Sequence, residues 1–453
     1  MGENIVLIYT YYWPPASAGG VWRFLKFSKY LPAYGWTPVI ITVKNGAYSA
    51  TDQTLLEAVP PQAKVFKTPS LEPYLIYNFL QGKSGKQVPE AMSGSYENQS
   101  TFQKISRFIR SNFFIPDPKV GWFPFAVKKG KKVIKKMPVK AIITTGPPNS
   151  VHLIGKKLRK KYNIPWIMDF RDPWTSSYLV KELISRSRMA ENIDQGMENR
   201  ALKLADCVTG ISPGLLSEFQ DRANRLEVIY NGFDEEEFPP YPKKTQSKFS
   251  LAYIGSLKPN QNIHALWQAL AELIKERDDF RKDFVLQFTG SPNPHIIDTI
   301  KNYGLQDHLN LSGFIPHQQA IEQMQQTSLL LFIVPRAKYA KSITSGKIFE
   351  YMASRTPIVS LGPTDGDAAW ILNKARRDPI IDYDDKEGIK KFIGEKYNQW
   401  LNNRQLLPQH EGDDHMYFSR KKLTGQLAQI LNELTNEHKA DQFIDFSNGS
   451  FLL

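Results

Sequence analysis

The segment Ser342-Ile343-Thr344-Ser345-Gly346-Lys347-Ile348-Phe349-Glu350 opens a helical pattern with a serine, a glycine and a lysine. A helix N-terminus offers unpaired backbone N–H groups and the positive end of its dipole, so a lysine there makes an anion site. Glu350, about one turn in, is spaced to accept hydrogen bonds from ligand hydroxyls such as those of a ribose. The plainer alternative is an i,i+3 surface pair with Lys347. A second candidate is the turn Trp13-Pro14-Pro15-Ala16-Ser17-Ala18-Gly19-Gly20 after the first apolar run. Glycines let a backbone approach a phosphate closely, although an ordinary permissive loop has the same composition. The spacing is not G-x-G-x-x-G, which weighs against a dinucleotide dehydrogenase.

A third candidate is Asp169-Phe170-Arg171-Asp172-Pro173-Trp174, read as lying directly after a strand. Three charges at a strand's carboxyl end are costly unless they pair or face a ligand. Two readings stay open here: Asp169, Arg171 and Asp172 do catalytic work, or Arg171 makes a structural pair with one of the two aspartates. Thr145-Gly146-Pro147-Pro148-Asn149-Ser150 ends another strand, with Ser150 placed to cap the next helix. His152 on that helix is either a catalytic imidazole or a satisfied core histidine.

These groups need scaffolding, and the chain supplies it by alternating short apolar runs with longer amphipathic ones. That pattern is the mark of parallel sheets covered by helices. Strands are expected at Ile5–Tyr9, Pro38–Val43, Ala141–Thr145, Trp166–Met168, Cys207–Ile211 and Glu227–Tyr230, with a helix over Val21–Tyr34 stopped by Gly35. The proline- and lysine-rich stretch 239–248 reads as a linker. Beyond it the alternation restarts, with strands at Phe249–Ile254, Phe284–Phe288, Leu309–Leu311, Leu329–Val334 and Pro357–Leu361 and a helix over Ala265–Glu276. The expected architecture is α/β, two doubly wound Rossmann-like domains at 1–238 and 249–425, with a C-terminal helix and tail over 426–453. Residues 81–100 are polar and read as a mobile loop. Residues 113–140 begin aromatic (Phe113, Phe114, Trp122, Phe123, Phe125) and continue with seven lysines, Lys128, Lys129, Lys131, Lys132, Lys135, Lys136 and Lys140, without an acid after Asp117.

A chain of 453 residues exceeds one ordinary core. No run approaches the ~18 apolar residues of a membrane span. The first apolar run lacks the flanks of a signal peptide and is expected to be a buried strand. Cys207 is the sole cysteine, so no intrachain disulfide can form and the cytosol fits. The net charge of +13 points to an anionic partner: a nucleoside diphosphate, an acidic membrane or nucleic acid. No nucleic-acid-binding module organises that charge.

Taken in order, the segments YYWPPASAGGVWRFLKFSKYL, TTGPPNSVHLIGKKL, IPWIMDFRDPW, ADCVTGIS, VIYNGFD, YIGSL, LSGFIPH and SGKIFEYMASRTPIV resemble the family-four, or group 1, retaining glycosyltransferases. The likeness runs over most of residues 4–430. It implies a GT-B fold whose two domains face each other across a cleft, the acceptor on the N-terminal domain and a nucleoside-diphosphate sugar on the C-terminal one. Residue by residue, it implies Gly19 and Gly20 near the donor's diphosphate or sugar, Gly290 in the donor site, and the backbone of Gly313, Phe314 and Ile315 along the base. It also implies Ser345, Gly346 and Lys347 at the phosphates and Glu350 at the ribose.

The same likeness implies a metal-independent transfer without a cofactor, in which the leaving phosphate takes the acceptor's proton on the same face of the sugar. It suggests a role in cell-surface polysaccharide synthesis, with a glycan or lipid-linked acceptor. It also suggests a peripheral place on the inner face of the cell membrane, where 113–140 would meet anionic headgroups. This chain departs from the pattern at Ser342, where many relatives carry a first glutamate, and at Ser256 and Gln261, where they carry basic residues. Lys258 is the nearby cation. Arg171 stands where many carry histidine. A nucleotide-sugar 2-epimerase of the same fold and a non-catalytic nucleotide-binding relative are the alternatives.

Overall fold

Strands that run apolar on both faces must be covered on both, and this chain folds accordingly around two parallel sheets. The computed structural model describes residues 4–17, 20–46, 48, 50–71, 108–176, 186–239, 247–404 and 414–448. Gly19, the loop expected at 81–100 and residues 240–246 of the expected linker lie outside the described residues. The chain divides into two compact units, Met1–Tyr230 with Thr424–Leu453, and Asn231–Leu423.

The first unit holds a seven-stranded sheet in the order β3-β2-β1-β4-β5-β6-β7. Its strands are β1 (Asn4–Thr10), β2 (Trp36–Val43), β3 (Lys64–Thr68), β4 (Val139–Gly146), β5 (Trp166–Phe170), β6 (Cys207–Gly210) and β7 (Leu226–Val228). The order reverses between β1 and β4, which makes that gap the topological switch point, where open α/β sheets bind ligands. The helix Val21–Tyr30 buries Val21, Phe24, Leu25 and Phe27. It ends earlier than the periodicity suggests, passing into a 3-10 turn over Leu31–Tyr34 that closes on Gly35 at φ +80°.

Two differences from the sequence-based expectation have local causes. β3 is an edge strand with exposed lysines at positions 64 and 67, so it lacks the apolar continuity that marks its neighbours. β5 runs on through Asp169, placing that carboxylate inside the sheet, in register with Thr145 on β4 and Thr209 on β6. The basic-aromatic segment divides in two. Trp122 is buried and donates its indole N–H to Thr68 Oγ1 at 2.7 Å, whereas Phe113 is 73% exposed. The helix Phe123–Lys136 turns Ala126, Val127, Gly130 and Val133 inward and packs beside the helix Ser150–Tyr162. From Thr424 the helix Arg420–Asn448 belongs to the first unit, where Asn432 accepts from Trp36 Nε1 at 3.0 Å and Glu433 pairs with Arg225 at 2.6 Å.

The second unit holds a five-stranded sheet in the order β10-β9-β8-β11-β12. Its strands are β8 (Phe249–Ile254), β9 (Phe284–Thr289), β10 (Leu309–Ser312), β11 (Leu329–Ile333) and β12 (Ile358–Leu361). Here the switch point falls between β8 and β11. Among the described residues no helix is long and apolar enough to cross a membrane.

Candidate functional site

Each unit gathers chemistry at the carboxyl ends of its strands. In the second unit, β8 is followed by Gly255 at φ +119° and β9 by Gly290 at φ +114°. The two are stacked so closely that a Cβ on Gly290 would lie 2.7 Å from the Gly255 carbonyl oxygen. A side chain at either position would be strained and obstructed, so glycine is required at both. Beyond β11, Ser345 caps the helix Gly346–Ala353, its hydroxyl accepting from Lys347 N at 3.3 Å. Lys347 crosses the switch point to lie over Gly255 and donates to the Tyr253 phenol oxygen at 3.2 Å. Its ammonium is thereby placed by a neutral partner.

Glu350 follows on the same helix and is partly buried. Burial holds its carboxyl above the usual value, against the lowering influence of His317 and Arg420; Glu237 adds to the rise and Lys347 opposes it. The alternative reading, a Lys347–Glu350 surface pair, is not what holds the lysine. Gly313 and Phe314 stand exposed at the end of β10, Phe314 by 90%, and Ile315 is half-buried. Lys258 is exposed at the start of a 3-10 turn, and Gln261 is buried, donating to the Ile333 carbonyl at 2.8 Å.

In the first unit, Asp169 is 1% exposed and saturated. Arg23 donates to it through Nη2 at 2.7 Å and Nε at 3.2 Å, and Thr145 and Thr209 each donate a hydroxyl at 2.8 Å. Burial alone would raise this carboxyl, but the Arg23 guanidinium and the two hydroxyls bring it below its usual value. Asp169 is thus paired with Arg23, and not with Arg171, a pairing that spacing left open.

Arg171 is held by neutral acceptors, Thr145 Oγ1 at 2.9 Å and the Pro147 carbonyl at 2.8 Å. Gly20 lies on its face, where a Cβ would meet the guanidinium at 2.8 Å. Asp172 is exposed nearby. The helix Ser150–Tyr162 is capped by a residue the spacing did not suggest: Asp117 accepts from Ser150 N at 2.7 Å and from Ser150 Oγ at 2.9 Å.

His152 is wholly buried, its ring against Phe170 and Trp174 at 4.6 and 5.9 Å. Trp166 donates to Thr144 Oγ1, which lies 2.8 Å from His152 Nδ1, so the hydroxyl ties the indole to the imidazole. Burial lowers this imidazole to about 3, which makes it a poor base at neutral pH.

Sequence reasoning missed Arg23, Tyr253 and Gly255. A signal for Arg23 exists: a charge on the apolar stripe of a helix, one turn before Phe27. Nothing in local spacing marks Tyr253.

Residues 248–393 match the family described as glycosyl transferases group 1. No curated protein matches the sequence. Among solved structures, sucrose-phosphate synthase from Thermosynechococcus elongatus is similar with a TM-score of 0.60 at 15% identity, over 96% of this chain and 100% of that one. WaaG, a glycosyltransferase involved in lipopolysaccharide biosynthesis, is similar with a TM-score of 0.53 at 12% identity, over 94% and 99%. A TarM mutant from S. aureus, solved with Fondaparinux, alpha-GlcNAc-glycerol and UDP, gives 0.58 at 10% identity, over 95% and 100%. At these identities the structures establish the fold: two Rossmann-like domains of the GT-B type.

Proposed function

We propose that this chain, whose residues 248–393 match the group 1 glycosyl transferases, is a retaining glycosyltransferase. It moves a sugar from a nucleoside-diphosphate sugar to a glycan or lipid-linked acceptor in cell-surface polysaccharide synthesis. The observation that carries the reading is the set Gly255, Ser345, Gly346, Lys347 and Glu350 at the switch point of the second unit. Departure of a nucleoside diphosphate develops negative charge on its phosphates. Lys347 and the N–H groups at the start of its helix are preorganised to stabilise that charge. Gly255 lets the end of the Lys347 side chain lie against bare backbone, and Glu350 accepts from the ribose hydroxyls. The likeness to retaining transferases supports a same-face transfer in which the leaving phosphate receives the acceptor's proton and no protein nucleophile is used.

The helices Phe123–Lys136 and Ser150–Tyr162 carry no acidic residue, and Lys128, Lys132, Lys135, Lys136, Lys157, Lys160 and Lys161 are exposed on them. Such a face supports a peripheral place on an anionic membrane, each lysine adding about 1 kcal/mol near the surface. Cosedimentation with phosphatidylglycerol vesicles but not with phosphatidylcholine vesicles is the expected result.

The donor reading is tested by thermal shift with UDP, GDP, ADP and dTDP and their sugar conjugates, without added metal. A ligand that binds only the folded state raises the melting temperature. Stabilisation by one nucleoside diphosphate names the base; none at millimolar ligand with folded protein refutes the reading. Retention is then read from the anomeric configuration of the product by NMR.

A further inference from the structure

We infer that the first unit carries a second anion site, centred on Arg171, that recognises a phosphate group on the acceptor. This rests on the transferase reading above and names the acceptor class it left open. Arg23 and Arg171 lie together at the carboxyl end of the seven-stranded sheet, and Asp169 between them gives both its oxygens to Arg23, Thr145 and Thr209. Arg171 is left with Thr145 Oγ1 and the Pro147 carbonyl, which orient the guanidinium without neutralising it. Burial works against its charge, and Asp169 and the exposed Asp172 only partly restore it. A cation withdrawn from water and fixed by neutral acceptors is poised for an anionic ligand.

Arg171 follows β5, yet its side chain reaches the loop after β4 through Pro147 and the turn after β1 through Gly20. Those two loops border the switch point between β1 and β4, the place in an open parallel sheet where ligands bind. A Cβ at position 20 would lie 2.8 Å from the guanidinium, so a side chain there would push Arg171 from its place. The donor's diphosphate has its own cation in the second unit, Lys347 at that unit's switch point. Arg171 belongs to the first unit and is held there by that unit's own loops. In a transferase the remaining substrate is the acceptor, and the chemistry that fits is a phosphate ester or diphosphate. Either a lipid-linked sugar or a free phosphorylated sugar supplies it.

The test is calorimetric titration of the full chain, saturated with its nucleoside diphosphate, with geranyl diphosphate in one arm and a hexose phosphate in the other. The variants are Arg171→Gln, Arg171→Lys, Lys347→Ala and the exposed control Lys203→Gln. Wild type binds at least one phosphate probe; Arg171→Gln weakens that binding by about tenfold or more and leaves nucleoside diphosphate affinity within about twofold. Arg171→Lys, which keeps the charge but not the fork, falls between, and it answers the concern that the glutamine variant misfolds. Lys203→Gln binds as wild type does. A lipid source is indicated when only the isoprenyl diphosphate binds, a free sugar phosphate when the hexose phosphate does.

The inference is overturned if wild type takes neither probe, if Arg171→Gln binds them as wild type does, or if Arg171→Gln loses only the nucleotide. Failure of the transferase reading looks different: wild type then binds no nucleoside diphosphate, and Lys347→Ala changes nothing.

Discussion

The ammonium of Lys347 rests 3.2 Å from the phenol oxygen of Tyr253, ninety-four positions away along the chain. This bond places a mobile side chain over Gly255 without a carboxylate to neutralise it. Lys347→Ala is expected to weaken nucleoside diphosphate binding about tenfold. Tyr253→Phe should cost less, on the order of 1 kcal/mol, because Lys347 keeps its charge and loses only its tether. Calorimetric titration with the nucleoside diphosphate measures both, and equal affinities in all three proteins would remove Lys347 from the phosphate site.

Glu350→Ala should impair donor binding or turnover far more than Glu276→Ala, whose carboxylate sits in an exposed ion pair with Lys390 at 2.7 Å. Glu350 also carries a pH signature. Its carboxyl is raised in the folded protein by burial, so the folded state holds the proton over a pH range in which the unfolded chain has released it. Stability therefore falls as pH rises from the ordinary glutamate range through the raised value. Glu350→Gln should remove that fall while weakening donor binding, and unfolding curves across pH report it.

His152 predicts acid sensitivity of the opposite kind. An imidazole lowered to about 3 in the fold, against 6.5 when unfolded, binds fewer protons in the native state over that interval. Stability is full above pH 6.5 and declines as pH falls towards 3. His152→Gln should flatten this decline; an unchanged acid limb would argue that other groups set it.

Gly130 faces Tyr9 so closely that a Cβ would lie 1.8 Å from the phenol oxygen, a buried atom without a hydrogen-bond partner among the described residues. Gly130→Ala should destabilise by about 1–3 kcal/mol through overpacking. Tyr9→Phe should be near neutral alone and should restore much of the loss in the double variant, a coupling that chemical denaturation can measure.

Asp169→Asn is expected to cost about 3–5 kcal/mol, because it leaves the buried Arg23 charge uncompensated. Donor affinity in the protein that remains folded should be close to wild type. A stable Asp169→Asn protein that has lost only turnover would instead assign the carboxylate a direct catalytic role.

Much of the scaffold was legible locally. Runs such as Ile142-Ile143 and Leu330-Leu331 are buried on both faces, so their strands need no alternation and stand out as apolar stretches. β3 escaped because an edge strand pairs on one side only and keeps its lysines in water. The extent of β5 was underread for a related reason: Asp169 interrupts an apolar run, and only its neighbours across the sheet neutralise it.

By itself, the sequence determined which turns are ready for an anion. Ser345 and Gly346 before a helix, or glycine in the turn after a first strand, act through backbone geometry that a few adjacent residues set. The tertiary structure alone decided which charges meet. Arg23 finds Asp169 across 146 positions because parallel pairing sets β5 between Thr145 and Thr209, while the first helix brings Arg23 to the same end of the sheet. That choice leaves Arg171 to neutral acceptors. Each crossover connection separates such partners by a helix or more, so their meeting depends on strand register and helix packing, and no local spacing records it.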